Sequence, residues 1–65
     1  MVRINGEKKE NYDGVTVEEM VNREGFQKSR IAVEINGAIV SKQTYQDTIV
    51  HSGDVIEVVS FVGGG

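Results

Sequence analysis

The sequence predicts an α+β domain, a mixed four- to five-stranded sheet packed against one principal helix. Three observations carry that prediction. Two Asn-Gly dipeptides, Asn5-Gly6 and Asn36-Gly37, each follow a short alternating run, Val2–Ile4 and Ile31–Ile35. Asn-Gly is a strong hairpin signal, because both central residues of a type I′ turn need positive φ. A segment with helical start and stop signals lies between the hairpins. An apolar run over 55–62 comes after them and leads directly into Gly63, Gly64 and Gly65. One helix covers one face of such a sheet.

Val2, Arg3 and Ile4 alternate and read as the first strand. Residues 7–12 read as its return, and Glu7, Lys8, Lys9 and Glu10 mark it as an edge strand protected by charge from further pairing. Asp13-Gly14 is a turn. Thr16 is placed as the N-cap of a helix with Glu19 at N3, a capping box, and Val15 and Met20 stand where a hydrophobic staple belongs. Val17, Met20 and Val21 share one helical face. Glu18 and Glu19 suit the start of the helix dipole and Arg23 its end, and Gly25 is placed to stop the helix in the left-handed conformation.

Ile31, Val33 and Ile35 fall on one face of a clear strand, and residues 38–40 are its return across Asn36-Gly37. Residues 41–47 are polar and irregular, with room for one helical turn. Residues 48–50 read as a short apolar strand and 51–54 as a turn, with His51 a plain turn residue. Residues 55–62 form the last strand, apolar on both faces except at Glu57 and Ser60, as expected in a sheet centre. With hairpins flanking the helix, the first and last strands pair in parallel in the middle. That arrangement is the β-grasp, the ubiquitin-like fold.

A chain of 65 residues makes one domain, and at this size it buries only about 60% of its unfolded surface. Its core supplies no more than roughly 3–5 kcal/mol of net stability. No cysteine is present, so neither a disulfide nor a Cys-based zinc site is available. The lone His51 has no carboxylates spaced around it to form a metal site. There is little room for a deep pocket, which argues against an autonomous enzyme and against a bound cofactor. The net charge is -3 and the basic residues are scattered, which speaks against a nucleic-acid footprint. No run is long enough for a membrane span and no signal peptide is seen, so the cytosol is the expected compartment.

The expected domain is 1–62, with 63–65 a flexible glycine tail. A glycine run has no side chains to bury and loses the most entropy on ordering. Extended, it projects its carboxylate about 10 Å beyond the body, and without Cβ atoms it can thread a narrow channel. A carboxylate so carried suits the role of reactive group, which makes Gly65 the candidate site. On the last strand Ile56 and Val58 are assigned to the core. That leaves Val59 and Phe61 on the open face which, with Val62 beside the tail, form the candidate docking surface.

Together these residues resemble the ThiS family of thiamine-biosynthesis sulfur carriers, over essentially the whole chain. The likeness rests on Ile4-Asn5-Gly6, Thr16-Val17, the run from Ala32 through Asn36-Gly37 to Val40, Gly53-Asp54-Val55-Ile56-Glu57, and Phe61-Val62-Gly63-Gly64-Gly65 in that order. The family usually ends in two glycines, and here there are three. The resemblance implies that an adenylating enzyme uses ATP to convert the Gly65 carboxylate into an acyl adenylate, with Gly63 and Gly64 as the arm. A sulfur donor, such as a cysteine desulfurase or rhodanese-like protein, then displaces AMP and leaves a thiocarboxylate for thiazole synthase. The chain would act as a co-substrate of these enzymes rather than as an enzyme. A molybdopterin-type carrier and a noncovalent β-grasp interaction module remain as alternatives.

Overall fold

The computed structural model describes residues 1–61; Val62, Gly63, Gly64 and Gly65 lie outside them. The strands are β1 (Val2–Ile4), β2 (Glu7–Lys9), β3 (Ile31–Ile35), β4 (Ala38–Val40) and β5 (Val55–Ser60), with helix α1 (Val17–Arg23) between the hairpins and 3₁₀ turns at Lys28–Arg30 and Lys42–Thr44. Among the described residues they form one sheet in the order β2-β1-β5-β3-β4. β5 lies at the centre, parallel to β1 through Arg3↔Val55 and Ile4↔Ile56 and antiparallel to β3 from Ile31↔Ser60 to Ile35↔Ile56. This is the β-grasp that the hairpin–helix–hairpin order predicts.

Both hairpins turn as their sequences require. Asn5 and Gly6 have φ of 51° and 83°, Asn36 and Gly37 of 52° and 86°, the left-handed pair of a type I′ turn. Each asparagine also clamps β5. Asn5 Oδ1 accepts from the Val58 N–H at 2.7 Å and its Nδ2 donates to the Val58 carbonyl at 3.1 Å. Asn36 Oδ1 accepts from the Val55 N–H at 2.9 Å, and its Nδ2 donates to Asp54 Oδ1 at 3.0 Å. The central strand is thus gripped by side chains from both neighbouring turns.

The first turn of α1 has its backbone donors satisfied from two directions. The Glu19 N–H donates to Thr16 Oγ1 at 3.1 Å, the N-cap bond the sequence predicts. The N–H groups of Val17 and Glu18 donate to the carbonyls of Thr48 and Tyr45 at 2.8 and 3.0 Å. The return half of the capping box gives way to an ion pair: the Glu19 carboxylate takes Arg23 Nε at 2.9 Å, one turn along the helix. At the other end Gly25, at φ 80°, donates to the Asn22 carbonyl and Phe26 to that of Val21, both at 3.1 Å. This is the Schellman pair of a left-handed C-cap. Val17, Met20 and Val21 are buried against the sheet, each worth about 1.5–3 kcal/mol relative to exposure.

The core lies between α1 and the inner sheet face, with Val2, Ile4, Ile31, Val33, Ile56 and Val58 from the strands and Tyr12, Tyr45 and Val50 from the connections. Three boundaries differ from the sequence reading. β2 stops at Lys9 rather than running to Tyr12, because Asn11 takes a φ of 71° and turns Tyr12 into the core. Residues 48–50 are not a sheet strand. Their backbone pairs with the segment before the helix, through a single Thr16↔Ile49 bridge and bonds of 2.7 Å linking Val50 with Gly14 and Val15. β5 ends at Ser60, where its partner β3 begins, and it is buried on one face only, since one helix covers one face.

Candidate functional site

The candidate site begins where β5 leaves the sheet. β5 is held by ladders on both sides, and the grip continues one residue past its end: the Phe61 N–H donates to the Arg30 carbonyl at 2.7 Å. The body is therefore hydrogen-bonded up to the residue before Val62. Gly63, Gly64 and Gly65, the expected arm and reactive terminus, lie outside the described residues, as does Val62.

β5 alternates through Val59, with Ile56 and Val58 buried and Val55, Glu57 and Val59 exposed, and ends on an exposed Ser60. Val59 is 52% exposed and Phe61 53%, so both sit on the uncovered side as the sequence predicts. Pairing registers extend that face across the sheet. Lys8 lies opposite Arg3 and Arg3 opposite Val55. Glu57 lies opposite Glu34, Val59 opposite Ala32, and Glu34 opposite Ile39. The face thus has a basic row, then an acidic row, then an apolar end beside Phe61.

Ile39, 76% exposed, is part of this surface and the sequence reading missed it. The signal was present: a two-residue Asn36-Gly37 turn fixes Glu34 opposite Ile39, and so puts Ile39 on the same side as Val59.

Chemistry elsewhere is structural. His51 is a turn residue whose backbone N–H donates to the capping Asp54 Oδ2 at 2.9 Å. Among the described residues no group of three or more His, Cys, Asp or Glu side chains could hold a metal ion. No helix there is long and apolar enough to cross a membrane. The two tyrosines with raised pKa values are both core residues. Burial first, then a 2.5 Å hydrogen bond to Glu24 Oε2, pushes Tyr12 up to about 12. Burial also raises Tyr45, and the Val33 backbone pulls it partly back; that approach falls short of hydrogen-bond geometry, and the Tyr45 hydroxyl has no partner. The larger concavity, lined by Phe26, Lys28, Arg30 and Lys42 among others, is broad and open.

A small β-grasp body with an uncovered sheet face leading into a glycine run defines a ubiquitin-like class of protein. The sequence model of the ThiS family matches residues 2–65, and the chain belongs to that family. It is 33% identical to the sulfur carrier protein ThiS of Bacillus subtilis (strain 168), over the full length of both chains. The crystal structure of thiamine biosynthesis protein ThiS from Geobacter metallireducens superimposes with a TM-score of 0.79 at 27% identity, covering 98% of this chain and 97% of that one. The chain is also 41% identical, over 98% of its length, to a thiazole synthase of Magnetococcus marinus. It spans about a fifth of the length of the thiazole synthases it matches.

Proposed function

We infer that this chain is a sulfur carrier of thiamine biosynthesis, carrying sulfur as a thiocarboxylate on Gly65. The observation that supports this most is the end-to-end match to a sulfur carrier of nearly the same length, in a chain whose central strand is followed, after Phe61 and Val62, by Gly63, Gly64 and Gly65.

A carboxylate is a poor electrophile, because its charge repels nucleophiles and oxide is a poor leaving group. In this reading a Gly65 carboxylate oxygen attacks the α-phosphorus of ATP on an adenylating enzyme, and pyrophosphate leaves. The resulting acyl adenylate has a neutral carbonyl and a good leaving group. The terminal sulfur of a donor protein's persulfide adds to that carbonyl and expels AMP, giving an acyl disulfide. A second thiol then attacks the donor's sulfur, a disulfide forms there, and the thiocarboxylate leaves. The carrier's part is to dock and to present an arm without Cβ atoms. Val59 and Phe61, with Val62 next in the sequence, serve as the docking residues. Thiazole synthase is the proposed acceptor, in keeping with the matched segment inside thiazole synthase chains. In this reading the chemistry takes place in the cytosol, where ATP is supplied.

The test is intact mass after incubation with ATP, the adenylating enzyme and a sulfur source. A sulfur-for-oxygen gain that needs all three supports the carrier reading. A mass that stays unchanged while the same enzyme loads another ThiS protein contradicts it.

A further inference from the structure

We propose that the open sheet face docks its protein partner in one fixed register, a basic side chain of the partner set against Glu34 and Glu57 and an acidic one against Arg3 and Lys8. The proposal rests on the carrier reading above and adds the chemistry of the surface the partner must present.

The registers place Glu34 directly opposite Glu57 and Arg3 directly opposite Lys8. Directly opposed residues on one face have Cβ atoms about 4.5–5.5 Å apart, and like charges there destabilise a sheet. The free chain therefore holds two repulsive pairs, of opposite sign, in neighbouring rows. Among the described residues, no ion pair within 4.0 Å involves any of the four. The charges around the helix behave differently: Glu18 pairs with Lys28, Glu19 with Arg23 and Glu24 with Lys9. On the open face, by contrast, Arg3, Lys8, Glu34 and Glu57 all lack an ion-pair partner.

Each repulsive pair is relieved by one opposite charge placed between its members. A guanidinium bridging two carboxylates makes charge-assisted bonds to both. The rows run from basic through acidic to apolar toward Phe61, so the pattern is not reversible. A partner of the complementary order is steered into one orientation and penalised in others. That register fixes where Phe61, and with it the start of the tail, meets the partner. A second copy fits worse. Setting its basic row on this acidic row about a two-fold axis carries Val59 and Phe61 over the polar turn at Ser52, Gly53 and Asp54, and leaves the apolar end uncovered.

The experiment measures melting temperature, sedimentation and binding to the adenylating enzyme at low and high salt. It compares the parent with Glu34→Gln/Glu57→Gln, Glu34→Lys/Glu57→Lys, Phe61→Ala and a control of equal charge change off this face, Glu7→Gln/Asp47→Asn. The glutamine pair is expected to melt higher than the parent, because repulsion is gone, yet to bind about tenfold more weakly with a flatter salt dependence. The lysine pair binds more weakly still, and the control binds like the parent. Gain of stability with loss of binding is the signature that a merely structural role does not give.

If the glutamine pair binds as tightly as the parent while Phe61→Ala binds poorly, the charge register is wrong and the carrier reading stands. Equal loss in the control reduces the effect to net charge and overturns the proposal. A parent that sediments as a dimer dispersed by the lysine pair gives the face to a second copy instead, and overturns it too. A parent that neither binds the enzyme nor gains sulfur takes down the carrier reading and this proposal together.

Discussion

Asn5 meets two demands at one position. Its backbone holds a positive φ in the turn, and its amide takes both backbone groups of Val58. Asn5→Gly keeps the turn and removes only the side-chain bonds, so it should cost about 1–3 kcal/mol for the pair. Chemical denaturation measures this, and unchanged stability would show the clamp to be idle. The turn was legible in the sequence because it is a local rule. The clamp was not, because it joins residues 53 apart. The tyrosines make the same point. Nothing in a polar stretch announces that Tyr12 and Tyr45 enter the core, since only the packed helix and sheet create the space. Tyr12→Phe deletes a hydrogen bond to a carboxylate and should cost about 1.5–3 kcal/mol. The raised pKa has a definite sign. The folded state favours the neutral phenol, so this contribution is full below pH 10.0 and is lost as pH rises through about 12. Tyrosinate absorbance against pH, compared with melting temperature over the same range, checks it. Tyr45→Phe should leave stability unchanged or raise it, because it removes a buried hydroxyl without a partner.

At the scale of elements, both ends of α1 were legible because caps are local chemistry: Thr16 and Gly25 do what their positions imply, while Glu19 pairs with Arg23 rather than closing the capping box. Thr16→Ala should therefore cost about 1 kcal/mol, read as a lower denaturation midpoint. Residues 48–50 look like a strand because they are apolar, but a strand needs a free sheet edge. Here the backbone serves the helix N-terminus and its approach, a use that no periodicity reveals. β5 shows what alternation can establish. The assignment of Ile56 and Val58 inward, and of Val59 and Phe61 outward, follows from a single helix covering a single face. Phe61→Ala should therefore weaken partner binding by about 1–3 kcal/mol with little change in melting temperature. Loss of fold with unchanged affinity of the remaining folded chain would make Phe61 a packing residue instead.

For the molecule as a whole, the proposed chemistry divides labour between a small folded body and the glycine run that follows it in the sequence. The sheet order puts β5 between two neighbours, and the turn asparagines and the Arg30 carbonyl hold it to its last described residue. In the proposed chemistry docking then has a fixed frame that reaches to Phe61. This is why the length of the arm matters to the proposed chemistry. Removing one residue draws the terminal carboxylate back by about 3.5 Å, and a displacement of about 1 Å can already cost on the order of a hundredfold in rate. The most direct measurement compares the parent with the chain lacking Gly65, after incubation with ATP, adenylating enzyme and sulfur source, by intact mass and fragment mapping. The carrier account predicts a sulfur-for-oxygen gain confined to the C-terminal fragment of the parent, and its collapse in the shortened chain, with fold and partner binding retained. A gain on an internal fragment, or loading of the shortened chain as fast as the parent, would contradict it.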